Sequence, residues 1–370
     1  MPNPTLAHRL TFCARLLPAA LLILGSACSD DPTDPAAALE GPTGLVLLPV
    51  SSPTDLTPDG STALLEERFD ISRLANLYFY DVASGKLTLQ TNAGTFQSFA
   101  TGLSANLRIS ANYSEPTIAA IWSQSSNWVT MPTYFPSFCE PIFIGGAWDI
   151  SADGHTWVGS DWNGCTTQSM RWSDASGTIV GTPLELLGES FPDNPNPPSN
   201  RASAVSDDGL WAGGWAQTAL ADRRPALWGP DGLGTFLTSG VTEDCPGEVL
   251  ALNENGSIAA GVWCQQGFYW TPAGGTVIIE GMTFVNAIAA NGNLLFGVGE
   301  RGAVVWTPAA GTRSLQDIAT AAGVEIPNGY VMTGAFASST DGTVVLGQGF
   351  TSNNTGYSFV LKLPASAYGL

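Results

Sequence analysis

Histidine is nearly absent from this chain. There are two in 370 residues, and His8 lies in an N-terminal segment that reads as a targeting sequence. His155 is left to carry any imidazole chemistry. A Ser-His-Asp site would have to be built around that one ring, and it sits in a turn, where a histidine is usually a solvated loop residue. No Cys-x-x-Cys spacing offers a metal cradle either. Neither a metal nor another cofactor is therefore expected. Basic residues are scarce too: 13 Lys and Arg stand against 32 Asp and Glu, a net charge of −19. Nucleic acid and anionic membrane surfaces repel such a chain. Beyond residue 27 no apolar run reaches membrane-spanning length. Charged residues are only 12%, whereas glycine numbers 42, which suits a turn-rich β protein.

What is abundant is one recurring phrase. Ala147 to Gly159 reads AWDISADGHTWVG: an alternating run, a Ser, an Asp-Gly turn, and a second run ending in Gly. Aligned on the turn, the copies are Pro58-Asp59-Gly60, Ala111-Asn112-Tyr113, Ala152-Asp153-Gly154, Asp207-Asp208-Gly209, Glu254-Asn255-Gly256, Ala290-Asn291-Gly292 and Thr340-Asp341-Gly342. Asp and Asn tolerate the left-handed backbone of a tight hairpin, and Gly adopts it freely. A third run ends in an aromatic, as in Met170-Arg171-Trp172 and Ala226-Leu227-Trp228, and a Gly-Thr step opens a fourth. Four short strands per unit, repeated seven times at roughly 40 to 50 residues, predict a seven-bladed, all-β propeller of four-stranded blades. Gly44 to Val50 resembles a fourth strand, and the last unit stops after its third at Leu363. An N-terminal strand is thus expected to close the ring, which removes open edges.

Around the ring, residues 1–27 read as a signal peptide, 28–42 as a Pro- and Asp-rich disordered tether, 43–364 as the propeller and 365–370 as a tail. Leu24-Gly25-Ser26-Ala27-Cys28 resembles a bacterial lipoprotein cleavage site, with Cys28 as the lipidated first residue. Ordinary cleavage after Ala27 is the alternative, giving a secreted or periplasmic chain. Ser314 to Gly323 predicts a short helix capped by Ser314 and stopped by Gly323. Glu189 to Asn200 is a Pro-Asn loop. The second unit looks degenerate, with no clean fourth strand between Trp128 and Gly145. Cys139 and Cys165 flank one hairpin as Cys245 and Cys264 flank another, so two disulfides are expected outside the cytoplasm.

The repeated A-x-x-I-S-x-D-G-x-x-x-x-G followed by a run ending in Trp resembles the bacterial extracellular HAF repeat. Leu315 to Gly349 is similar to the closing segment of many such proteins. The resemblance implies a secreted propeller and brings no catalytic residue with it.

Two groups of residues suggest a site. Trp122, Trp162, Trp215, Trp263 and Phe350 are expected at the ends of second strands, on one face of the ring. There, with Asp161 and Asp222, they would stack a glycan or peptide, unless they instead wedge between blades. Asp55, Arg108 and Asp149 are expected to share one first-strand position and line the central channel. The function read from these features is a monomeric binding or scaffold module of the cell envelope, an outer-membrane or surface lipoprotein. It would touch the membrane only through its anchor and take a glycan, peptide or protein ligand. The rival is a glycan- or peptide-acting enzyme with its site in the channel. Mass spectrometry of the membrane fraction should find a diacylated or triacylated Cys28; a soluble chain starting unmodified at that residue would refute lipidation.

Overall fold

The computed structural model describes residues 44–69, 74–90, 96–113, 118–134, 145–188, 198–218, 222–238 and 245–370, which all belong to one compact unit. The segments read as a signal peptide and a tether, Cys28 included, lie outside them.

Strand β1 (Gly44–Leu48) comes first and blade 1 follows it: β2 (Ser52–Leu56), β3 (Thr62–Phe69), β4 (Leu74–Asp81) and β5 (Lys86–Leu89). Blade 2 is β6 (Phe96–Leu103), β7 (Ile109–Tyr113), β8 (Ile118–Ser123) and β9 (Asn127–Thr130). Blade 3 is β10 (Gly146–Ile150), β11 (Thr156–Trp162), β12 (Thr167–Ser173) and β13 (Val180–Pro183). Blade 4 is β14 (Asn200–Val205), β15 (Ala212–Gln217), β16 (Arg223–Trp228) and β17 (Gly234–Phe236). Blade 5 is β18 (Gly247–Leu252), β19 (Ala259–Trp263), β20 (Gln266–Thr271) and β21 (Gly275–Ile278). Blade 6 is β22 (Phe284–Ala289), β23 (Leu294–Gly299), β24 (Gly302–Thr307) and β25 (Gly311–Ser314). Blade 7 is β26 (Val331–Ser338), β27 (Val344–Phe350) and β28 (Gly356–Lys362), completed by β1 as its outer strand. Each blade is an antiparallel meander, and the ring has seven. Blades 1 and 2 are also hydrogen-bonded to each other, through β4 and β6.

The recurring phrase has a physical cause in the turn between first and second strands. In blade 3 the Ser151 hydroxyl donates to Asp153 Oδ1 at 2.7 Å, and that oxygen accepts the His155 N–H at 2.9 Å. The Ser151 Oγ in turn accepts the Thr156 N–H at 3.0 Å. Blade 1 repeats this network with Thr57 and Asp59, blade 4 with Ser206 and Asp208, blade 7 with Ser339 and Asp341. Blade 5 makes it with Asn253 and Asn255. The glycine after the Asx has φ near +70°, as at Gly154 (75°). It also lies against the preceding blade: a Cβ on Gly256 would run into Trp211, and one on Gly342 into Leu294. The second glycine of the phrase answers to a bulge. Each first strand shifts register, as between Ala147 and Asp149, and β26 of blade 7 does so twice. The shift drives the Gly146 carbonyl onto Gly159, and the Arg201 carbonyl onto Gly214, where any side chain would overlap it.

Blade 2 corrects the sequence reading. Ala111-Asn112-Tyr113 is not a turn but part of β7. The turn is Ser104 to Arg108, where the Ser104 hydroxyl donates to Asn106 Oδ1 at 2.6 Å. It is one residue shorter than in blade 3: Ser104 N–H bonds the Arg108 carbonyl, whereas Ser151 N–H bonds that of Thr156. Leu107, not glycine, takes the positive φ of 62°. The blade also has its fourth strand, β9, where none was expected.

The helix is where Ser314 places it: α1 (Leu315–Ala321), with Ser314 accepting the Asp317 N–H. The expected tail is not loose. Ala365–Tyr368 form a 3-10 turn, and Tyr368, 1% exposed, packs edge-on to Phe296 at 5.6 Å. Cys245 and Cys264 are joined with Cα atoms 5.3 Å apart. Cys165 is disulfide-bonded too, while Cys139 lies outside the described residues.

Closure rests on β1. Its five residues run antiparallel to β28, from Gly44 opposite Lys362 to Leu48 opposite Ser358. Leu45, Val46 and Leu48 are buried at 6%, 4% and 0% exposure. Burying three such side chains is worth roughly 5–9 kcal/mol at most, as much as many domains have in total. A chain starting at Pro53 should therefore lose cooperative melting or aggregate, as seen by calorimetry and size exclusion; a melt unchanged from the full protein would show that β1 is not what holds the ring.

Candidate functional site

The first strands surround a central cavity of about 320 Å³. Just past the bulges stand Asp55, Gly102, Asp149, Ala204, Ala251, Ala287 and Ala337, and of these Asp55, Asp149, Ala251, Ala287 and Ala337 line the cavity. Two aspartates thus stand among small residues, and Gly102 leaves room for Asp149, whose Oδ1 a side chain there would crowd. Each carboxylate ties two blades. Asp55 accepts the Leu56 N–H at 2.8 Å and, from blade 2, the Leu103 N–H at 2.6 Å. Asp149 accepts the Ile150 N–H at 2.8 Å and, from blade 4, the Val205 N–H at 2.7 Å. Burial within the ring outweighs these bonds. It pushes Asp55 up to about 7 and Asp149 well above the usual carboxylate range, and Asp55 raises Asp149 further.

Arg108 does not share this position. Because the blade 2 turn is short, Arg108 leaves the turn away from the channel. Its guanidinium pairs with Asp174 at 2.8 Å, donates to the Gly154 carbonyl and lies 4.7 Å from the Trp157 ring. His155 Nδ1 meets the other Asp174 oxygen at 2.6 Å. Burial disfavours the Asp174 charge, but Arg108 and His155 more than offset this and hold its pKa below normal. Together the three residues clamp blade 2 to blade 3.

The aromatic set does not form an open face. Trp122 is on the third strand, β8, because the blade 2 register is displaced, and it is fully buried edge-on to Phe79 of blade 1. Trp263, 2% exposed, sits in a core shared with Ala204 and Leu227 of blade 4. Trp215, 5% exposed, is flanked by the Arg201 and Arg223 guanidinium groups at 5.6 and 4.3 Å. Trp122 and Trp263 fill seams between blades, and Trp215 is held within blade 4 between its two arginines. Only Trp162 and Phe350 are partly exposed. Asp161 is itself buried and accepts the Tyr134 and Trp162 N–H groups.

Sequence reasoning passed over the mouth where the hairpin turns gather. Asp207 and Glu254 precede the turn Asx in blades 4 and 5, a position filled by Pro58, Ala152 and Thr340 elsewhere, and they line the channel rim. Across the rim a second hollow, of about 530 Å³, is bounded by Asp59, Glu254 and Asp341. Burial, aided by Glu254 and Asp208, pushes Asp207 up to about 6. The nearby cations are committed: Arg108 to Asp174, Arg171 to the carbonyls of Leu210, Gly229 and Pro230, Lys362 to that of Val82. Among the described residues no three His, Cys, Asp or Glu side chains could hold a metal ion together.

The comparisons speak to the fold. No protein-family model matches the chain, and no curated protein matches it significantly. Solved structures do. A puromycin-hydrolyzing peptidase of Mycobacterium tuberculosis is 12% identical at a TM-score of 0.53, over 86% of this chain and 52% of that one. Virginiamycin B lyase of Staphylococcus aureus, in a catalytically inactive form with quinupristin, is 12% identical at 0.51, over 86% and 99%. TolB of Acinetobacter baumannii is 9% identical at 0.43, over 83% and 64%. This chain therefore spans less than two thirds of the length of TolB and of the peptidase. The likeness is one of β-propeller architecture.

A pH dependence follows from the channel pair. A carboxyl whose folded pKa is raised stabilises the fold most below its unfolded value and loses that contribution as pH rises through its folded one. Asp55, at about 7 against 3.8 unfolded, thus makes the ring more stable at pH 5 than at pH 8. The lowered carboxyls, Asp59, Asp81, Asp174 and Asp341, act only below about pH 4. The melting temperature should fall from pH 5 to pH 8, and Asp55→Asn should flatten that slope. A flat wild-type profile would contradict it.

Proposed function

We propose that the protein is an exported HAF-repeat propeller of the bacterial cell envelope, anchored through Cys28, that binds a cationic polypeptide segment on its hairpin-turn face. The observation that carries this reading is the gathering of turn and pre-turn carboxylates, Asp59, Asp207, Glu254 and Asp341, around one mouth of the ring. Opposite charge there steers and holds a basic ligand. Trp122, Trp215 and Trp263 are buried and offer a glycan no stacking surface, and the carboxylates at the mouth favour a basic polypeptide.

Asp207 and Glu254 stand outside the hydrogen-bonded turn network, so replacing them leaves the hairpins intact. Isothermal calorimetry at pH 7.5 should show octalysine binding that weakens steeply with salt and weakens about tenfold or more in Asp207→Asn/Glu254→Gln, roughly 1.4 kcal/mol. Binding should also weaken as pH falls through about 6, because Asp207 takes up its proton there. Octaglutamate bound as tightly as octalysine would sink the reading.

A further inference from the structure

Blade 4 carries the same tripeptide at two neighbouring turns. Asp208-Gly209-Leu210 joins β14 to β15, and Asp231-Gly232-Leu233 joins β16 to β17. In both, the aspartate Oδ1 accepts the leucine N–H, at 3.0 and 3.1 Å, and the glycine has positive φ, 73° and 79°. The two leucines are therefore held outward by the same local geometry. Leu210 is 50% exposed and Leu233 62%, the highest value among the large apolar side chains described. At the place of Leu210 the other turns put polar residues: Ser61, His155, Ser257 and Thr343. The turn network needs only the backbone N–H there, so nothing in the fold requires an apolar side chain.

The two turns are tied into one surface. Arg171 of blade 3 donates to the Leu210 carbonyl at 2.8 Å, to Gly229 at 3.0 Å and to Pro230 at 3.2 Å. Beside Leu233 lies a hollow of about 500 Å³ lined by Trp211, Leu227 and Pro230. Leu227, which lines it, is 1% exposed and belongs to the core shared by blades 4 and 5, so the hollow opens onto that core. Asp231 lines the hollow and Asp208 caps the turn that carries Leu210, so two carboxylates flank this apolar spot with Arg171 between them, and Asp207 and Glu254 stand at the channel rim of the same face. Single exposed leucines are common; a fixed pair, one of which borders an apolar hollow, suits an interaction site.

We propose that the Leu210–Leu233 pair and the hollow beside it take an apolar side chain flanked by lysine or arginine in a protein partner. The proposal rests on the cationic-ligand reading and adds its specificity: charge draws the segment to the face, and blade 4 selects one with an apolar anchor. Charge complementarity fixes the occupant. A second copy of this chain would bring carboxylates against carboxylates, and a lipid surface of anionic headgroups is repelled in the same way.

Two labelled probes test it by fluorescence anisotropy, Lys-Lys-Leu-Leu-Lys-Lys and Lys-Lys-Ser-Ser-Lys-Lys. Burying one leucine side chain is worth enough for about a tenfold preference. The full-length protein should prefer the leucine probe by that factor. Leu210→Ser/Leu233→Ser should bind both probes equally, at the wild-type affinity for the serine probe. Val331→Ser removes a side chain of similar exposure, 50%, remote from blade 4 and should keep the preference. If the wild type binds both probes equally, or the double variant keeps its preference, the blade 4 site is refuted while the acidic-face reading stands. If neither probe binds, the acidic-face reading itself falls. If sedimentation shows a wild-type dimer that the double variant cannot form, the leucines serve a second copy and the proposal is wrong.

Discussion

The pairing of β1 with β28 is the constraint on which the rest depends. A propeller has no core of its own; each blade buries its faces against the two beside it, and the last must bury against the first. Val46 and Leu48 of β1 accordingly pack with Leu65 and Tyr80 of blade 1 as well as with Leu346 of blade 7. Once the circle is shut, small contacts suffice between neighbours. A turn glycine rests on the preceding blade, a channel aspartate caps a backbone N–H of the next, and a tryptophan fills the seam. The contacts of blade 1 with blade 7, such as Gly60 against Val344 and Ser339, exist only when the ring is closed.

The same chemistry that closes the hairpins makes the two faces unlike. A tight turn at each first hairpin favours Asx, and the turn network uses one oxygen of each aspartate. The charge remains and faces outward. Repetition around a circle then collects these carboxylates at one mouth, where Asp207 and Glu254 add two that no turn requires. Function here is read from the departures from the repeat: acids where other blades have Pro, Ala or Thr, and leucine where others have Ser, His or Thr.

Much of the architecture was legible because the repeat advertises itself. The Asx turns, the closing strand and the Ser314 cap follow from local rules that tertiary context did not override. Blade 2 was misread because its turn, Ser104 to Arg108, lacks both the glycine and one residue, so the next Asx, Asn112, stood in for it. That slip moved Arg108 into the channel and Trp122 onto the wrong strand. The remaining tryptophans failed for another reason: alternation tells which side of a strand a residue takes, but in a ring both sides are covered, so Trp215 and Trp263 bury either way. Asp207 and Glu254 were hidden in plain turns, distinguishable only by comparing one position across copies.

The closing ladder also has a direction. Gly44 stands opposite Lys362, so the chain enters and leaves the ring at the same end of one strand pair. Heat must break that ladder and its packing together. Tension between the two ends meets it rung by rung, unzipping it from the Gly44 end instead of shearing five residues at once. The Tyr368 plug backs the C-terminal side, so β1 yields first. A ring of this design withstands unfolding as a whole and gives way to a pull along its own ends.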